Sequence, residues 1–296
     1  GLLRRPWIAA ILLAGMLLAV WQMSLVRPGE AVPVAPRWSP SELTLAAALG
    51  VAGAVILCGV ITPETFYDAL YYHDAFPAQY LRHGRVLVFP HAVHSAMPSH
   101  VDLLYAPLLA WGGASTVKLG HFALLAGLMG WVGVLGRRLG SRLGGLAGAL
   151  VLATLPGVGV MAGLGVVDLG VTFFTTGCVA LTVAALAGAT ASAPLLAAAF
   201  LAGAAAGSKY SALLFVLVWA VAVLAVLVTR HRPRQWLSLG LGVGALVLAG
   251  GGGWYVRNQV VLGNAVYPAL SAPGSAASEV VARLQSDSGP PGPWLD

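Results

Sequence analysis

Continuous apolar stretches of about twenty residues, almost free of charge, recur through this sequence and constrain its fold more than any other feature. A helix rises about 1.5 Å per residue, so roughly 20 residues cross about 30 Å of hydrocarbon with every backbone N–H and C=O paired inside the helix. The chain is 58% hydrophobic and only 9% charged, where a soluble domain carries about 25% charged residues. No water-soluble fold of 296 residues hides that much apolar surface. The apolar runs do not alternate with polar residues, which excludes a closed barrel.

The fold expected is an all-α, polytopic transmembrane helical bundle over 1–270. About eight spans fall near 7–26, 43–62, 116–136, 143–161, 166–188, 193–206, 211–229 and 236–255. The first lacks a small-residue cleavage site and reads as a membrane helix, not a signal peptide. Gly144, Gly145, Gly148, Gly203, Gly207, Gly240, Gly242 and Gly244 lie inside these stretches, where small residues let helices approach closely. Cys58 and Cys178 both lie in apolar runs and read as packing residues, not a disulfide. A Ser/Gly/Pro-rich tail over 271–296 reads as flexible.

The net charge of +6 does not point to nucleic acid. The basic residues cluster between apolar runs, at Arg137, Arg138 and Arg142 and at Arg230, Arg232 and Arg234, the pattern of cytoplasmic loops. That places 63–115, 162–166, 207–211 and 254–270 on the other side. Arg4 and Arg5 then fall outside if the first span crosses fully.

The first long loop, 62–115, is unlike the rest. It holds Glu64, Asp68, Asp74 and Asp102 and five of the seven histidines, His73, His83, His91, His94 and His100. Thr62 suits an N-cap and Pro63 a first helical position, and Phe66, Leu70, Pro77 and Leu81 follow near helical spacing. The loop is therefore expected to carry short amphipathic helices on the membrane surface.

Four positions invite chemistry. Asp68 follows an apolar run, and a carboxylate at a lipid interface is partly desolvated and a better base; alternatively it complements a helix dipole. Asp168, near the start of a span, is either functional or an exposed helix start. Lys209, beside Tyr210 in a polar break, either holds a lipid phosphate or snorkels to the interface. Arg257 has the fork geometry for a phosphate. His91 and His94 lack the second half of a zinc motif, and His121 reads as packed in preference to ligating haem or a pigment.

The order of motifs resembles the GT-C superfamily of polyprenyl-phosphate-sugar-dependent glycosyltransferases, which includes aminoarabinose transferases and protein O-mannosyltransferases. The matching strings are Tyr67-Asp68-Ala69-Leu70-Tyr71-Tyr72-His73 with Pro77, Tyr80-Leu81-Arg82-His83-Gly84-Arg85, Pro98 and Leu103-Leu104-Tyr105. They continue with Arg137-Arg138-Leu139-Gly140, Val167-Asp168-Leu169, Gly207-Ser208-Lys209-Tyr210-Ser211, Trp254-Tyr255-Val256-Arg257-Asn258, Gly263-Asn264 and Tyr267-Pro268.

The resemblance implies an inverting glycosyltransferase, or its N-terminal membrane half, in the bacterial cytoplasmic (inner) membrane with its active face extracytoplasmic. Asp68, with Asp168, would be catalytic. Lys209, Arg257 and Tyr210 would bind the phosphate of a polyprenyl-phosphate sugar. A divalent metal ion is the implied cofactor, with Asp74 and His73 as its candidate ligands. Implied partners are membrane lipid, the lipid-linked sugar and further membrane subunits, with no nucleic acid. The competing expectation is a noncatalytic membrane subunit that keeps this scaffold within a larger complex.

Overall fold

A computed structural model describes residues 3–24, 37–187, 192–230, 233–271 and 274–288. Among them there is no strand. The helices are α1 (Arg5–Ser24), α2 (Pro40–Val60), α3 (Ala75–His83), α4 (His100–Gly112), α5 (Ala114–Arg138), α6 (Arg142–Thr154) and α7 (Pro156–Ala162). They continue with α8 (Asp168–Ala187), α9 (Ser192–Ala206), α10 (Ala212–Arg230), α11 (Pro233–Leu262) and α12 (Ala276–Ser288). Among the described residues helices fall on each of the eight apolar stretches, the one at 143–161 being divided between α6 and α7.

Among the described residues four helices are long and apolar enough to cross a membrane: α2, α5, α8 and Leu237–Leu262 of α11. A fifth crossing results if α6 and α7 count as one, but they are bent by 72°. Pro156 explains the break. A residue before proline is pushed out of the helical region, and Leu155 sits at φ −65°, ψ 123°.

The bundle has two unlike ends. At one, Ser39 and Glu42 form a reciprocal capping box ahead of Pro40, and Arg142 Nε donates to Glu42 at 2.6 Å. The other end of α2 is held by the buried Lys118, whose ammonium donates to the carbonyls of Gly59 (3.2 Å) and Thr62 (2.8 Å). The chain's start belongs to this second end, because the Leu3 N–H donates to the Gly84 carbonyl at 3.4 Å. Arg4 and Arg5 therefore lie with the loop, at the end opposite the arginine clusters and against the positive-inside pattern that those clusters follow.

Helices α9 and α11 meet through glycine. A Cβ on Gly251 would lie 2.1 Å from the Gly203 carbonyl oxygen, and one on Gly250 2.3 Å from that of Phe200. Only hydrogen fits between these backbones, a contact driven by packing because lipid supplies no hydrophobic drive between helices. The cysteines are free, Cys178 buried and Cys58 exposed.

Two expectations are corrected. Thr62 does not cap a new helix. Its hydroxyl donates back to Gly59 at 2.6 Å, closing α2, and the next helical residue is Tyr67. Residues 276–288 are not a flexible tail. They form α12, with Ala277 buried and Gln285 Nε2 donating to the Pro90 carbonyl at 2.8 Å. Residues 272–273 and 289–296 lie outside the described residues.

Candidate functional site

Between α2 and α3 the chain makes a π-helical turn, Ala69–His73, closed by the Asp74 N–H on the Ala69 carbonyl at 2.8 Å. Widening the turn to an i→i+5 bond puts residues four and five apart on one face. Asp68, Tyr72 and His73 thereby all line one cavity of about 520 Å³. The opposite wall comes from the start of α8 and the break after α9, which supply Asp168, Ser208, Lys209 and Tyr210.

Lys209 Nζ donates to Asp168 Oδ1 at 2.7 Å, with both side chains about half exposed (46% and 47%). Asp168 thus occupies the first turn of its helix and not the depth of the bundle, and its charge is matched across the cavity. Tyr210 donates to the Tyr267 carbonyl at 2.6 Å, which fixes its ring at the cavity edge.

His73 adds a group whose context the sequence does not reveal. Its Nδ1 lies 2.8 Å from Oδ1 of Asp102, a carboxylate only 3% exposed. Burial pushes the Asp102 carboxyl up from its ordinary value, and the imidazole opposes that shift. With Nδ1 engaged, Nε2 is the remaining ring nitrogen of a side chain that lines the cavity. Tyr72 stacks on His94 with ring centroids 4.6 Å apart. Burial, then the neighbouring Asp68 carboxylate, raises the Tyr72 hydroxyl above its usual range.

Arg257 and Asp74 are not among the cavity-lining residues. Arg257 lies over the Trp254 ring (4.3 Å) and donates to the Ser95 carbonyl at 3.0 Å and to Asn258 Oδ1 at 2.9 Å. Asn258, fully buried, donates to the Ala96 carbonyl at 2.7 Å. The pair clamps the segment that carries His94 into the cavity. Asp74 lies behind the wall, its Oδ1 buried with no hydrogen-bond partner among the described residues and facing Gly165 together with Glu64. Among the described residues no group of three or more His, Cys, Asp or Glu is close enough to hold a metal ion.

Burial, then the Glu64 carboxylate, pushes the Asp74 carboxyl up from its usual 3.8 to about 7. The folded state therefore holds this proton more tightly than the unfolded chain. The associated stability is fully present below pH ~4 and is lost as pH rises to ~7. Asp74→Asn abolishes that loss, so the variant's thermal midpoint gains on the parent between pH 5 and pH 8. An equal gap at both values rules out a protonated, buried Asp74.

Against known proteins, the chain matches no family model, no curated protein and no solved structure. The reading of function rests on the site.

Proposed function

We propose that this chain is a GT-C-type glycosyltransferase that moves a sugar from a polyprenyl-phosphate donor to a hydroxyl acceptor. In this reading α1, α2, α5, α6 with α7, α8, α9, α10 and α11 make eight crossings of a bacterial cytoplasmic membrane. The arginine end is cytoplasmic, and the cavity opens at the extracytoplasmic face within the 62–115 loop. The observation that carries the proposal is convergence: Asp68, Asp168, Lys209 and Tyr210, from three distant stretches of chain, line one cavity at one end of an apolar bundle.

The acceptor hydroxyl loses its proton to the Asp68 carboxylate as its oxygen bonds to the anomeric carbon. The carbon–oxygen bond to phosphate breaks on the opposite face, and its electron pair leaves on the phosphate oxygen. Lys209 neutralises that growing charge. Asp168, 2.7 Å from Lys209, aims the ammonium and is the charge the lipid phosphate joins or displaces. Arg257 and Asn258 act by holding the 95–96 carbonyls, and thus His94, in place.

The noncatalytic-subunit reading has one observation on its side: the charge of Lys209 is already matched. Native mass spectrometry in nanodiscs containing undecaprenyl phosphate separates the two. The transferase reading expects retained undecaprenyl phosphate, with retention falling about tenfold or more in Lys209→Met, the cost of losing a hydrogen bond to a charged group. No retained lipid together with a stoichiometric partner subunit supports the scaffold reading and overturns the transferase.

A further inference from the structure

A second cavity, of about 230 Å³, lies under α12 on the far side of the segment that carries His94. From its lining residues we infer that it is a distal acceptor subsite, which takes one sugar residue of an acceptor whose attacking hydroxyl reaches Asp68 in the first cavity. The inference rests on the transferase reading and names that reaction's second substrate.

Three observations carry it. The first is contiguity. The His94 ring lines both cavities; it stacks flat on Tyr72 at 4.6 Å and meets Tyr71 edge-on at 6.1 Å. Tyr72 belongs to the first cavity and Tyr71 to the second. The two floors are also joined, since Tyr210 of the first donates to the Tyr267 carbonyl of the second at 2.6 Å. A molecule in the second cavity thus lies one imidazole away from Tyr72 and Asp68.

The second observation is chemistry. Tyr71, Tyr267, His91, His94 and Gln285 contribute aromatic faces, imidazole rings and an amide, while no Asp, Glu, Lys or Arg is among the described residues that line the cavity. Such walls suit a ring with an apolar face and a hydroxylated rim, and not a phosphate, a carboxylate or an ammonium group. The third is size. At about 30 Å³ per water, 230 Å³ holds some seven or eight waters. That is below the roughly 300 Å³ at which pockets for larger ligands begin, and room for a single pyranose ring. The roof is α12, tied down by Gln285 Nε2 on the Pro90 carbonyl.

The test uses the full chain in nanodiscs and the methyl glycosides of glucose, galactose, mannose and N-acetylglucosamine as probes, read by saturation-transfer difference NMR. At least one glycoside is expected to receive saturation. The signal is expected to disappear in Val281→Trp, which fills the cavity from α12, and to fall about fivefold in Tyr267→Ala, which removes one stacking face. Undecaprenyl phosphate retention, read by native mass spectrometry, should stay unchanged in at least one of the two variants, which marks that variant as folded. Saturation of no glycoside, saturation that survives both substitutions, or a co-purified acyl lipid displaced by Val281→Trp each overturns the subsite. Glycoside binding sensitive to these variants in a chain that never retains undecaprenyl phosphate leaves the second site standing and removes the transferase reading beneath it.

Discussion

Replacing Asp68 by Asn is expected to lower sugar transfer by about two to four orders of magnitude, the contribution of a positioned general base, while the protein still inserts and folds. The amide keeps the shape of the side chain at the cavity wall and loses only the ability to take a proton from the acceptor. Asp68 contributes to the cavity lining, not to the core, so the thermal midpoint should stay close to that of the parent. Donor consumption is the direct readout: polyprenyl-phosphate sugars extracted from host membranes, incubated with nanodisc-embedded protein and followed by liquid chromatography with mass spectrometry. An Asp68→Asn chain that consumes donor at the parental rate removes Asp68 as the base.

The second large effect is mechanical. Gly251→Val is expected to break the α9–α11 contact, because its Cβ would stand 2.1 Å from the Gly203 carbonyl oxygen and 3.0 Å from the Gly207 nitrogen. Both are backbone atoms, which cannot rotate aside as a side chain would. Overpacking of this kind costs about 1–3 kcal/mol where neighbours can adjust, and more where two backbones must separate. A fall in thermal midpoint on the order of 5–10 °C is the expected result. Lys209 follows α9 by three residues, so lipid retention should fall with it. Gly253→Val is the matched control, since its Cβ would meet nothing within 4 Å. Equal losses in both variants contradict the close-approach account.

The helices were legible because hydropathy alone marks a stretch that must pair its own backbone in lipid, but the 72° bend at Pro156 was not, since 143–161 reads as one continuous apolar span. The convergence of Asp68, Asp168 and Lys209 was legible too, since counting crossings from the arginine clusters puts all three at one end. The π-turn at Ala69–His73 was not, because periodicity does not encode a single widened turn. Nor was the Asp102–His73 pair, which joins residues 29 apart through a fold with no local signature. Arg257 was placed at the right end, but its backbone partners at Ser95 lie 162 positions away. Helix α12 did leave a trace: Val280, Val281 and Leu284 recur at helical spacing, masked by the surrounding Ser, Gly and Pro.

The proposed transfer requires a lipid phosphate in the cavity between Asp68 and Lys209. A photoreactive benzoylphenylalanine placed at Ser211, on the cavity rim, and separately at Leu143, exposed on the arginine end, measures this directly after irradiation in undecaprenyl-phosphate nanodiscs. The account predicts a polyprenyl adduct at position 211 and none at 143. Equal labelling at both positions, or none at 211, contradicts it.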